Sequence, residues 1–299
     1  MKLDGAFAPL TTPFAADGSV ALEDLRANVE RYNGTGLAGY VVLGSTGEAV
    51  LLSQEESSRV LETARKAASK EKTLIAGASA ESTAETIART RRAAEMGYSA
   101  ALVKPPSYYK PYLTGRVLLD HFRRVADASR VPLLLYSIPQ FTGVPLEAPD
   151  VAELAKHSNI IGIKESSGEV QRMSAILALA PEGFQVLAGS ANTFHASLMI
   201  GARGGILALA CVLPEFCAEL YARARRGDVE SAQQLQQRLM PASRLVAERG
   251  GPAGVKCAME LRGYRGGAPR LPLAPLSAAQ REEIKECMQE LQAHAPDLV

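Results

Sequence analysis

The 299-residue chain has no tryptophan, only four histidines and four cysteines, and 5% aromatic residues. Cys211, Cys217, Cys257 and Cys287 have neither metal nor redox spacing and read as buried thiols. His121, His157, His195 and His294 are scattered, with no HExxH or paired arrangement, so no metal site is expected. No apolar run approaches the ~20 residues of a membrane helix, and the amino-terminal MKLDGAFAPLTTPF lacks a signal-like apolar region. The charges balance, 33 basic against 32 acidic for a formal net of +1, and no block carries one sign. Nucleic acid and anionic membrane surfaces are therefore excluded as partners, and a cytoplasmic globular protein is expected.

A chain of this length can bury on the order of 75% of its extended surface. Eight short apolar runs alternate with helical patterns: 5–10, 39–44, 73–77, 100–104, 131–136, 160–164, 184–188 and 205–210. Between them, 22–32, 55–70, 83–96, 113–128, 146–157 and 170–180 have helical spacing. Each repeat takes roughly 25 to 30 residues, the size of a βα unit, and eight fit an α/β fold of the closed (β/α)8 TIM barrel type. An open doubly wound sheet is the alternative. Past Pro214 the strand patterns stop. Helices are expected at 215–226, 228–248, 252–261 and 277–293, capped by Asp228 and Ser277, with Pro241 kinking the second. The expected division is therefore a barrel over 1–226 and a C-terminal helical extension over 227–299. The GTGLAG run at 34–39 matches a dinucleotide fingerprint, but it follows a helix and precedes a strand, the wrong order for that motif.

The apolar runs at 131–135 and 160–163 each end on a reactive side chain, Tyr136 and Lys164. Parallel strands joined by a helix bring both to the same edge of the sheet, where α/β proteins keep their chemistry. A lysine there either turns to solvent, pairs with Glu165, or loses its charge. Desolvation disfavours the ammonium, and the neutral amine is a nucleophile toward carbonyls. The same edge receives Ser45, Thr46 and Glu48, the tyrosines Tyr108 and Tyr109, and Gly189 with Ser190. The GSTGE run at 44–48 reads two ways: Ser45 and Glu48 match a capping box, and a glycine-flanked turn with free amides is an anion cradle. Tyr136 can equally be a packing residue, and Tyr108 and Tyr109 can be loop aromatics or an oligomer contact.

GSTGE, the paired tyrosines after PP, YSIPQFTG and GIKESSG occur in an order and at spacings that resemble the dihydrodipicolinate synthase and N-acetylneuraminate lyase superfamily of pyruvate-dependent class I aldolases. The likeness runs from APLTTPF through VLAGSANTF and GARGGILALA to GVKCAMELRGYRGG. It implies a TIM barrel with a helical extension, usually a homotetramer built as a dimer of dimers. It makes Lys164 the Schiff-base lysine and Tyr136 the proton-relay phenol. Ser45, Thr46 and Gly47 would hold the pyruvate carboxylate, with the Thr46 hydroxyl also in the relay. Tyr109 would reach across a dimer interface into the neighbouring site, and Ile206 would offer its carbonyl near the pyruvate. No metal or organic cofactor is implied.

Substrate choice turns on Phe141. The lysine-biosynthetic synthases usually place there an arginine that meets the carboxylate of aspartate semialdehyde, and phenylalanine cannot donate a hydrogen bond. The YS-Pro-TG pattern and the small residues of KESSG look more like the 4-hydroxy-2-oxoglutarate aldolases, which release pyruvate and glyoxylate, with Ser166 at the distal carboxylate. Those enzymes often carry asparagine where this chain has Phe141 and Thr46, so a 2-oxo acid with an apolar distal end is also open. The synthase reaction and a catalytically silent 2-oxo-acid-binding barrel are the remaining readings.

Overall fold

Strands buried on both faces should read as continuous apolar runs, and the eight runs do form such strands. They are β1 (Gly5–Pro9), β2 (Gly39–Val42), β3 (Thr73–Gly77), β4 (Ala100–Val103), β5 (Leu133–Ser137), β6 (Ile160–Glu165), β7 (Gln185–Ala188) and β8 (Gly204–Ile206). Every strand pairs in parallel with the next, and β8 closes on β1. The computed structural model describes residues 1–293; His294 and the end of the expected extension lie outside the described residues.

Alternation along each strand sorts the core into two layers. Phe7, Val41, Ile75, Leu102, Leu134, Leu187 and Ile206 fill the barrel interior. The alternate residues face a ring of helices: α1 (Leu22–Asn33), α2 (Gln54–Ala67), α3 (Thr83–Glu95), α4 (Gly115–Ala128), α5 (Pro139–Thr142), α6 (Ala148–Leu154), α7 (Val170–Leu179), α8 (Phe194–Met199) and α9 (Pro214–Arg225). The extension adds α10 (Val229–Ala242), α11 (Gly251–Leu261) and α12 (Ala278–Ala293).

Three local features depart from the sequence pattern. The eighth strand is shorter than expected: after a last ladder bond from the Leu207 amide to the Phe7 carbonyl, the chain turns into a 3-10 segment at Ala208–Cys211. That segment is apolar because it lies under the extension, which periodicity cannot distinguish from strand. The short helices α5 and α8, four and six residues long, were too brief to leave a pattern. Pro241 sits inside α10, and the helix then widens into a π-helical turn at Ser243–Arg249, closed by the Gly250 amide on the Leu245 carbonyl five residues back. The missing amide is absorbed by a change of winding. The caps form as expected, the Asp228 side chain accepting from the Ser231 amide and Ser277 from Gln280.

Close strand approach positions β6. A Cβ on Gly162 would lie 2.2 Å from the Gln185 carbonyl oxygen, so only glycine lets the strands meet two residues before Lys164.

Candidate active site

The register of β5 against β6 sets Tyr136 directly opposite Lys164. Both side chains take the interior face, at 4% and 5% exposure. The Lys164 Nζ lies 4.3 Å from the centre of the Tyr136 ring. Lys164 therefore does not turn to solvent. Glu165 takes the opposite face of β6, where it accepts from the Ser167 hydroxyl and lies 3.6 Å from Arg172. Burial raises its carboxyl above the usual range, against the pull of Ser167 and Arg172. Among the described residues, no carboxylate forms an ion pair with Lys164.

The loop after β2 is held under backbone strain. Leu43 and Glu48, on either side of it, both have positive φ, 64° and 54°, a region that residues other than glycine rarely occupy and that clusters at functional sites. The turn is closed by Gly47 N to Gly44 O and Glu48 N to Ser45 O, leaving the amides of Ser45 and Thr46 outside it. The Thr12 hydroxyl donates to the Gly47 carbonyl at 2.7 Å. A Cβ on Gly47 would come within 2.8 Å of the Leu10 carbonyl oxygen, so glycine is required.

Glu48 does not cap a helix. Its buried carboxylate lies 2.5 Å from the Lys256 Nζ of α11 and accepts the Arg270 amide at 2.8 Å. The capping box that starts α2 lies eight residues further on, between Ser53 and Glu56. The Arg270 guanidinium donates to Glu56, Gly18 and Leu51 and lies over the Phe14 ring. The extension thus grips the strained loop through the Lys256 ammonium and the Arg270 amide, two residues that sequence reasoning left without a role. A lysine inside the apolar GVKCAMEL pattern was the available signal.

A cavity of about 520 Å³ opens at this end of the barrel. It brings together Ser45, Thr46, Tyr136, Phe141, Lys164, Ser166 and Ile206. The Tyr136 hydroxyl is 3.2 Å from the Ser45 Oγ, so its partner is Ser45; Thr46 lines the cavity. The Ser166 Oγ is buried and, among the described residues, has no hydrogen-bond partner. Gly47 is not among the lining residues. Tyr109 is not in the lining either: it is 66% exposed, edge-on to Tyr108 with ring centres 5.0 Å apart.

A buried amine beside a phenol at the carboxyl end of a (β/α)8 barrel, with a cavity above it, is an arrangement that suits a Schiff-base carbon-carbon lyase of the pyruvate type. Residues 2–291 match the model of the Dihydrodipicolinate synthetase family, and the chain belongs to that family. It is similar to the 4-hydroxy-tetrahydrodipicolinate synthase of Methanothrix thermoacetophila, 38% identical with 95% of each chain covered. The synthase of an Exiguobacterium species is 36% identical, covering 96% of this chain and 97% of its own. Among solved structures, the chloride-inhibited dihydrodipicolinate synthase of Acinetobacter baumannii, complexed with pyruvate, superposes with a TM-score of 0.93 at 32% identity, over 97% of this chain and 99% of that one. These relatives support the superfamily reading but not the expected nearness to the 4-hydroxy-2-oxoglutarate aldolases. No described helix is long and apolar enough to cross a membrane.

Proposed function

We propose that Lys164 is the nucleophile of this lyase. Its neutral amine adds to the C2 carbonyl of pyruvate, and the adduct takes up one proton and expels water, leaving a protonated imine. The imine draws electrons from C3, which gives a proton to water in the cavity and becomes an enamine. The enamine carbon then attacks an aldehyde, the new alkoxide takes a proton from the Tyr136 hydroxyl, the phenolate regains one from solvent through Ser45, and water hydrolyses the imine to release the product, a proton and the neutral Lys164 amine. Read backwards, the same steps cleave a 4-hydroxy-2-oxo acid to pyruvate and an aldehyde.

The observation that carries this reading is the placement of Lys164 inside the barrel, opposite Tyr136 in one ladder and unpaired with any described carboxylate. Ser45, hydrogen-bonded to Tyr136, extends the relay. Thr46, with the unused amides of the turn, supports a seat for the pyruvate carboxylate, and Ile206 contributes its backbone nearby. The exposed tyrosines Tyr108, Tyr109 and Tyr112 support a contact with a second copy, as in a dimer of dimers, in which Tyr109 would enter the partner's cavity.

The curated relatives favour condensation with aspartate semialdehyde over cleavage of 4-hydroxy-2-oxoglutarate, so the synthase reaction is the first to assay and the cleavage the second. A catalytically silent binder is separated from both by turnover. Trapping tests the common step: borohydride added with pyruvate should leave a permanent adduct on Lys164. An unmodified lysine in folded, pyruvate-saturated protein would refute the proposal.

A further inference from the structure

The cavity is built unevenly. Lys164 lies at its floor and, among the described residues lining it, is the only cation. That charge has a use already, because the protonated imine and the amides beside it face pyruvate's own carboxylate. Around the rest of the cavity stand Ile138, Phe141, Leu209, Pro252 and Val255, with the neutral Gln140, Ser167, Ser190 and Ser243 and the carboxylates Glu169 and Glu248 also in the lining. Of the cations close by, Arg249 is turned to Glu283 at 2.9 Å, and Lys110 lies beside Gly143, outside the lining. One buried neutral hydroxyl, that of Ser166, remains without a partner.

We infer that the aldehyde partner of pyruvate carries no carboxylate: it is a neutral molecule with an apolar body set against Phe141 and Val255, and a single hydroxyl or carbonyl within reach of Ser166. This rests on the Schiff-base reading and names its second substrate. A carboxylate brought into this space would lose water without gaining a cation, and it would approach two charges of its own sign. An alkyl or aryl chain meets neither cost and removes apolar surface from water. The volume leaves ample room beyond a three-carbon keto acid, within the usual range for small-molecule sites. Both acceptors suggested by likeness, aspartate semialdehyde and glyoxylate, carry the group this cavity does not match.

The test compares two four-carbon aldehydes that differ only at the far end, butanal and succinic semialdehyde, each offered with pyruvate to the full chain. Condensation is followed by pyruvate consumption and by the mass of the product. Butanal should be preferred in kcat/KM by at least ~10-fold, the size of one unpaired polar contact. Phe141→Arg, at an exposed position, should narrow or reverse that preference by restoring a cation at the lining. Succinic semialdehyde condensing as fast as butanal, or an adduct on Lys164 with turnover of neither aldehyde, overturns the inference and leaves the Schiff-base step standing. Absence of any borohydride adduct instead removes the Schiff-base step itself. The two failures are thereby told apart.

Discussion

The Nζ of Lys256 lies 2.5 Å from the Oε1 of Glu48, with the two side chains 1% and 0% exposed. Lys256 also donates to the Ala268 carbonyl at 2.9 Å and lies 4.4 Å from the centre of the Phe14 ring. Burial pulls its ammonium below the usual lysine range, and the Glu48 contact opposes that pull. The pair fastens the C-terminal extension to the loop proposed to seat pyruvate.

Removing one partner should therefore cost both stability and binding. Lys256→Met leaves Glu48 charged in a dry site, a loss of ~3 to 5 kcal/mol that urea unfolding would register. The double variant Lys256→Met with Glu48→Leu should recover much of that stability. It should not recover pyruvate affinity, because the left-handed backbone at Glu48 loses its anchor. Recovery of both would make the pair a purely structural feature.

The hydroxyl of Tyr136 should matter for proton transfer and not for imine formation. Tyr136→Phe is expected to lower kcat by ~10²-fold or more, the usual worth of a positioned acid or base, while borohydride still traps the adduct. Ser45→Ala removes the partner at 3.2 Å and should lower kcat less, with little change in KM. Equal loss of trapping and turnover in Tyr136→Phe would assign the phenol to holding Lys164 in place.

Acid should weaken the fold in two steps. Burial lowers the His121 imidazole from 6.5 to about 4, so the unfolded chain takes up that proton first, and stability present above pH 6.5 drains away as pH falls toward 4. The Arg270 hydrogen bonds hold Glu56 at about 2, so its contribution is intact above pH 4.5 and is lost as pH falls from there to 2. Allowing for solvent screening at this partly exposed pair, the Glu56 step is on the order of 1 kcal/mol. Urea midpoints for Glu56→Gln should lose the lower step alone, and those for His121→Gln the upper one.

Oligomer formation should run through the tyrosine cluster. Tyr109→Ala is expected to shift sedimentation toward smaller species and to lower turnover in the same samples. A variant that stays assembled at wild-type activity would remove Tyr109 from both roles.

The barrel was legible because strands buried on both faces leave unbroken apolar runs, and the Tyr136–Lys164 pairing followed once those strands were parallel. The end of β8 was not, since an apolar 3-10 segment under a helix has the same composition as strand. The loop after β2 shows the limit most sharply. Ser45 to Glu48 and Ser53 to Glu56 present the same S-x-x-E spacing, and only the second caps a helix. What separates them is the buried Lys256, a tertiary partner invisible to local pattern. Nearness to one aldolase subgroup was read too finely from YSIPQFTG: the match over residues 2–291 shows the family, and the side chains proposed to meet the acceptor come from several elements.

Because Tyr136 and Lys164 face each other in one ladder, inserting a single residue into β5 or β6 would rotate a reactive group out into the helical layer. Of the groups proposed to meet the aldehyde, Phe141 sits on α5 and Val255 on α11, off the strands, with Ser166 just past the end of β6. Mutation is free to rework that side of the cavity while the strands keep the imine chemistry intact, so a lineage can trade one aldehyde for another without passing through a dead enzyme.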